Sequence, residues 1–320
     1  MPERVLPPRP NLEQYRKQAK DLVKDWANAS PGALERVRLN HPRLQDPPES
    51  NLSRGSFKLS DAQLVIAREH AFESWSKFAR HLRTLHSIPA VATFEEAPRP
   101  KRFTTPIPVD GIELAAEIAV PDDPAGLVLF AHARGSGRYD PRNHYVADVF
   151  NRGALCTVLT DLLTEEEELA DIETEELRLD IRLLRRRLAA ITNWIGRQPL
   201  LKRLGLGYFG SGTGAAAALF AAAECPSLVQ AVVSCGGRPD LAGPWLWKVQ
   251  APSLFIVGAK ETAALAFNHS AMAWLPRQTV RKFEVIDGVR QLFEEKSALE
   301  KSASLACDWF CRHLNARPTV

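Results

Sequence analysis

The chain has 320 residues, 45% apolar and 25% charged, enough for two globular domains that each bury a core. Lys and Arg total 41 against 38 Asp and Glu, interleaved outside the N-terminus, so the formal charge of +3 and pI near 8.6 give no argument for nucleic acid. No segment approaches the roughly 20 apolar residues of a membrane span, and residues 1–10 hold no apolar core of signal-peptide length, so no membrane contact and a cytoplasmic location are expected.

Five cysteines, Cys156, Cys225, Cys235, Cys307 and Cys311, are an odd number without a C-x-x-C pair. Cys307 and Cys311 stand four apart on a predicted helix and are expected to be buried as small apolar side chains. No disulfide, metal or other cofactor is implied.

Leu12, Tyr15, Ala19, Leu22, Val23 and Trp26 have helical spacing behind Asn11, a good cap, so a first helix is expected to about Asn28. Ser30-Pro31 opens a second helix. After a polar loop, Ser60 is expected to cap a third, and residues 73–87 read as a fourth with Trp75, Phe78, Ala79, Leu82 and Leu85 on one side. Residues 1–88 thus form a small all-helical domain, with 89–103 as a turn-rich linker lacking either periodicity. The basic run Arg16, Lys17, Lys20, Lys24 reads as a solvated helix face or as a dock for a protein partner.

From 104 to 320 strand and helix patterns alternate. Two β segments flank the Asp110-Gly111 turn and should pair antiparallel. Then come strands at 127–131, 156–160, 204–209, 229–234, 253–257 and 279–286. Helices are expected near 142–152, 172–197, 213–224, 262–275 and 296–314. Short apolar strands separated by helices predict an α/β class: a doubly wound, mostly parallel sheet preceded by the helical domain. The acidic run Thr164-Glu-Glu-Glu-Glu168 lacks the regular carboxylate spacing of a metal site and reads as a solvated cap and helix surface.

Gly207-Tyr-Phe-Gly-Ser-Gly-Thr-Gly214 lies between a predicted strand and an alanine-rich helix, the context of a G-x-S-x-G nucleophile elbow. Gly210 and Gly214 match the frame, so Gly212 occupies the nucleophile position. Together with Leu127-Val-Leu-Phe-Ala-His-Ala-Arg-Gly-Ser-Gly-Arg138, Pro141-Arg-Asn143, Asp161-Leu-Leu-Thr164, Gly236-Gly-Arg-Pro-Asp-Leu-Ala-Gly243 and Leu292-Phe-Glu-Glu295, this segment resembles the dienelactone-hydrolase-like branch of the α/β-hydrolases over about 105–314. The N-terminal segments at 6–22 and 59–75 resemble a leader found in bacterial proteins ahead of ankyrin repeats and other domains.

The family resemblance implies an α/β-hydrolase fold with a nucleophile, an acid and a histidine at places that here hold Gly212, Glu261 and Gln291. Glu261 could serve as the acid, but Gly212 has no side chain and Gln291 has no imidazole, so the triad is degenerate. Fallback candidates are Ser211, with no His nearby in sequence to activate it, Cys235 at a strand end, and His132, read either as a structural residue or as a base. Ala133, Arg134, Ser136, Ser211 and Thr213 are candidate ligand contacts: the resemblance implies backbone oxyanion donors at Ala133 and Thr213, and Arg134 beside a helix N-terminus suggests a small anionic ligand. Three functions follow: a pseudo-hydrolase binding a small molecule or protein, an enzyme (hydrolase, lyase or isomerase) using non-standard residues, and a structural scaffold.

Overall fold

The computed structural model describes residues 11–42, 44, 57–70, 72, 74–76, 78, 79, 82, 100–132, 137–289 and 295–315. The chain divides into two compact units, Met1–Ser87 and Ile88–Val320. Among the described residues no helix is long and apolar enough to cross a membrane.

In the first unit, α1 (Leu12–Ala27), α2 (Pro31–Asn40) and α3 (Leu59–Glu69) bury one stripe each, with Tyr15, Leu22, Trp26, Val37, Val65, Ile66, Phe78 and Leu82 in a common core. Asn11 caps α1 by accepting from the Glu13 amide at 2.9 Å. Ser60 does not cap α3. The helix already begins at Leu59, and the Asp61 carboxylate accepts from the Lys58 amide at 2.7 Å. Much of the fourth helix expected at 73–87 lies outside the described residues; Trp75, Phe78, Ala79 and Leu82 are helical.

The second unit carries one eight-stranded sheet, in the order β1 (Lys101–Val109), β2 (Ile112–Val120), β4 (Leu155–Thr160), β3 (Gly126–Ala131), β5 (Leu206–Ser211), β6 (Val229–Cys235), β7 (Ser253–Gly258), β8 (Arg281–Ile286). β2 pairs antiparallel with both β1 and β4, and all other pairs are parallel. This is the α/β-hydrolase arrangement, as the alternation of patterns predicts. Asp110 and Gly111 both take positive φ, 48° and 86°, which gives the β1–β2 hairpin a turn matching strand twist. β1 starts at Lys101, so Lys101, Arg102 and Phe103 belong to the sheet rather than to the expected linker; residues 89–99 lie outside the described residues.

Alternation along the strands splits the core between the two faces of the sheet. Val128, Phe130 and Phe209 pack with Phe150 of α4 (Pro141–Arg152) and Phe310 of α10 (Lys296–His313). Leu129, Leu206 and Tyr208 pack on the other face with α7 (Ile181–Ile195) and α8 (Gly214–Glu224). α8 is buried from Gly214 to Ala223, and its alanines let it lie close to the strands.

The long helix expected at 172–197 is three: α5 (Glu165–Thr174), α6 (Glu176–Leu179) and α7. Glu175 turns left-handed at φ 56° between the first two. The buried Asp171 carboxylate accepts from the Leu177 amide at 2.6 Å, while Asp180 accepts from Arg182 and Leu183 amides at 3.0 Å each, starting α7 afresh. The acidic run is less solvated than its composition suggests. Thr164 and Glu167 form a capping box, and Glu167 takes two hydrogen bonds of 2.5 Å from the buried Arg187, which also donates to the Leu162 carbonyl at 2.7 Å. Sequence patterning also gave no sign of the 3₁₀ segment Pro239–Lys248, kinked at Gly243 (φ 54°). α9 (Thr262–Trp274) packs beside it.

The Arg187 guanidinium holds the Glu167 carboxyl below the usual carboxylate range. Its stabilisation is therefore complete above the unfolded-state carboxyl pKa and lost as acid titrates through the lower folded value. Arg187→Ala should cost about 2–4 kcal/mol at neutral pH, by leaving Glu167 and the Leu162 carbonyl without their donor, and should remove that acid step. Denaturant unfolding of both proteins from pH 6 to pH 3 checks this.

Candidate functional site

β5 ends at Ser211, the chain turns at Gly212, and α8 starts at Gly214. The three glycines of this bend are there for different reasons. A Cβ on Gly210 would lie 2.7 Å from the Ala215 Cα and 2.8 Å from the Gly214 carbonyl oxygen, and one on Gly214 would collide with the Ala131 carbonyl. Both framing positions are sterically closed. Gly212 is exposed, takes φ +56°, and a Cβ built on it meets nothing within 4 Å among the described residues. The tip of the bend thus has room for a side chain and carries none.

Neighbouring loops fix this bend. After β6, Gly236 turns at φ 58° and the Arg238 amide donates to the Gly212 carbonyl at 2.8 Å. A Cβ on Gly237 would come within 2.8 Å of that same oxygen, so the loop touches the elbow backbone to backbone. Asn268 of α9, fully buried, donates to the Gly237 carbonyl at 3.0 Å and accepts from Ser234 at 3.3 Å. The Arg238 guanidinium is held by two hydrogen bonds to Asp240, 2.9 and 2.8 Å, and lies 4.0 Å over the Phe267 ring. Asn268 and Phe267 were missed as site residues, and Arg238 was read only as part of the Gly236–Gly243 segment. Thr213 donates its hydroxyl to the Arg178 carbonyl at 2.7 Å, tying the elbow to the helix break at 175–180.

Sequence distance hid the most informative contact. β3 runs parallel to β5 with Ala131 opposite Gly210, so His132 follows beside Ser211, and its Nδ1 lies 2.7 Å from the Ser211 Oγ. No His lies near Ser211 in sequence, but the fold brings His132 to it across 79 positions. The pair is nevertheless poorly arranged for nucleophilic attack. His132 is buried between Phe130 and Phe209, and burial pushes its imidazole down to about 4 despite the nearby Asp140. Its Nε2 is buried with no hydrogen-bond partner among the described residues. Among the described residues no carboxylate accepts from its Nε2, whereas base catalysis requires the imidazolium formed by taking the serine proton to be stabilised. Alternation in β5 also places Ser211 on the face of Phe209, away from the open tip.

Cys235 ends β6 with no exposed surface, and burial pushes its thiol up to about 12. A buried thiol held this high is a poor nucleophile, which fits a packed cysteine at the strand end. Glu261 precedes α9 just after β7, with a carboxylate oxygen 2.9 Å from where a Cβ on Gly258 would stand. Asp161 accepts from the Arg138 amide at 2.9 Å, and its backbone forms an isolated parallel β-bridge with His132. Ala133, Arg134 and Ser136 in that loop, and Gln291 after β8, lie outside the described residues. Among the described residues no group of three or more His, Cys, Asp or Glu could hold a metal ion.

Two outcomes follow from this geometry. Gly212→Ala should cost only about 1 kcal/mol, the backbone penalty of an L-residue at positive φ, while Gly214→Ala and Gly210→Ala should each cost at least about 3 kcal/mol by overpacking backbone; thermal melting of the three variants checks the ranking. Because His132 folds in its neutral form, the unfolded state gains the proton first as pH falls. Stability should then be complete above about pH 6.5 and decline by about 3 kcal/mol as pH falls to 4. His132→Asn should flatten that part of a stability-against-pH profile.

No protein-family model matches the chain. It is 46% identical over 209 residues to two Mycobacterium tuberculosis proteins named "Putative phosphoribosyl transferase", covering 65% of this chain but 45% of theirs, so it spans about half the length of these curated relatives. Among solved structures, Est1E from Butyrivibrio proteoclasticus is 12% identical with a TM-score of 0.52 and shares the fold. The crystal structure of a dienelactone hydrolase from Anabaena variabilis matches 68% of this chain and 100% of its own length, with 45% identity and a TM-score of 0.66. With that identity across the whole of the Anabaena protein, this chain belongs to the dienelactone-hydrolase-like branch of the α/β-hydrolases.

Proposed function

We propose that the second unit is a pseudo-hydrolase: a hydrolase fold that holds a small anionic molecule at its elbow and does not hydrolyse it by nucleophile and imidazole. The observation that carries this reading is the tip at Gly212, open among the described residues, between two glycines that packing closes. Gln291 adds to it, because the place the family gives to histidine holds an amide that cannot shuttle a proton. Removing triad members from a serine hydrolase costs on the order of a million-fold in turnover and leaves ~10³–10⁴ over water. Such a residue of activity is too small to be the chain's purpose.

Support for an anionic ligand comes from α8, whose first-turn amides begin two residues past the tip and present the positive end of its dipole there. Arg134 would add a charge from the loop after β3. The phosphoribosyl transferase description of the mycobacterial relatives belongs, in this reading, to the larger part of their length that this chain does not match. The helical first unit, with its basic stripe on α1, serves as a dock for a protein partner.

The test is an ester, lactone and thioester panel run on the wild type and on the triple variant Gly212→Ser, Glu261→Asp, Gln291→His. The wild type should show no turnover above background and the variant should gain it, since the elbow that positions the hydroxyl is already built. Wild-type hydrolysis that disappears on replacing His132 or Ser211 would overturn the proposal and favour an enzyme working through that pair.

A further inference from the structure

Far from the elbow in sequence, two thiols of α10 meet the end of α4. Cys307 donates to the Val149 carbonyl at 3.8 Å and Cys311 to the Gly153 carbonyl at 3.6 Å. Both sulfurs crowd one point. A Cβ on Gly153 would stand 2.5 Å from the Cys307 Sγ and 3.6 Å from the Cys311 Sγ, so only glycine fits beneath the pair. The two thiols also interact directly with each other. Cys307 is buried while Cys311 is exposed, which gives the pair a covered floor and an open mouth.

The surrounding field suits a cation. Val149 and Gly153 stand at the carboxyl end of α4, and Cys311 lies in the last turn of α10, so two helices turn the negative ends of their dipoles toward the sulfurs. Burial, then the neighbouring Cys311 and Asp308, push the Cys307 thiol up to about 12. The buried Cys307 thiol therefore holds its proton tightly, and an ion must have strong affinity for sulfur to displace it. No third His, Cys, Asp or Glu completes a cluster among the described residues, so the four ligands of a structural zinc site are not assembled. Two sulfurs alone fit a soft ion that accepts two-coordinate binding.

We propose that Cys307 and Cys311 form a two-thiolate site for a soft monovalent cation of the copper(I) class. Binding replaces two S–H bonds with two S–Cu bonds and releases two protons to solvent. No electron is transferred, and the single negative charge of the bis-thiolate complex is placed near Arg152.

The test is anaerobic competition for copper(I) between the 320-residue chain and the chromophoric chelator bicinchoninate. Wild type should withdraw one copper(I) per chain. Cys311→Ser, at an exposed position that leaves the core untouched, should weaken binding roughly tenfold or more through loss of one of two soft ligands. Cys307→Ser should do the same where circular dichroism shows it folded, and Cys225→Ser should change nothing. Failure of the wild type to compete, full retention of affinity by Cys311→Ser, or an equal loss in Cys225→Ser would overturn the assignment.

Discussion

The site depends on how closely α8 approaches the end of β3. That approach is set where the Gly214 Cα faces the Ala131 carbonyl and Gly210 faces the backbone of Ala215, with no volume for a methyl group at either place. Three consequences follow. The strand-to-helix turn must be sharp, its tip at Gly212 must stand clear of the sheet, and His132, next after Ala131, must come against Ser211. The loop after β6 then closes on the tip from the other side, through the Arg238 amide on the Gly212 carbonyl. Asn268 holds that loop from beneath with hydrogen bonds to Gly237 and Ser234.

A bend this constrained normally stores strain at its tip, of the order of 1–3 kcal/mol for a non-glycine residue held at an unfavourable backbone angle. Glycine at φ +56° relieves it. Stability and chemistry therefore pull in opposite directions at position 212: the residue that would attack is also the one that destabilises the turn. Glycine is the more stable choice at position 212, and the framing glycines are needed for packing. The His132–Ser211 contact fits the same picture. A buried imidazole joined to a strand-end hydroxyl ties β3 to β5, and burial holds its pKa low.

The sheet was legible in the sequence because its strands are short apolar runs between helix patterns, and the hairpin because Asp110-Gly111 can take two positive φ angles. The elbow was legible from glycine spacing between a strand pattern and a helix pattern. Helix continuity through 172–197 was misread because breaks there come from side-chain carboxylates, Asp171 and Asp180, capturing backbone amides, and acidic residues fit a solvated helix equally well. Contacts between strands adjacent in space but far apart in the chain left no local pattern. His132 meets Ser211 across 79 positions, and Asn268 reaches Gly237 across 31. Cys235 at its strand end could be read as reactive or as packed, and side chains on the α4 and α10 face cover it.

The central claim is that position 212 is an emptied attacking position, open to solvent, while position 211 faces the packed side of the sheet. Site-mapped alkylation by an anionic electrophile such as iodoacetate, compared between Gly212→Cys and Ser211→Cys, addresses it most directly. The account predicts rapid modification at 212 and protection at 211, with the exposed Cys311 as an internal reference in both proteins. Protection at 212 together with rapid modification at 211 would contradict it.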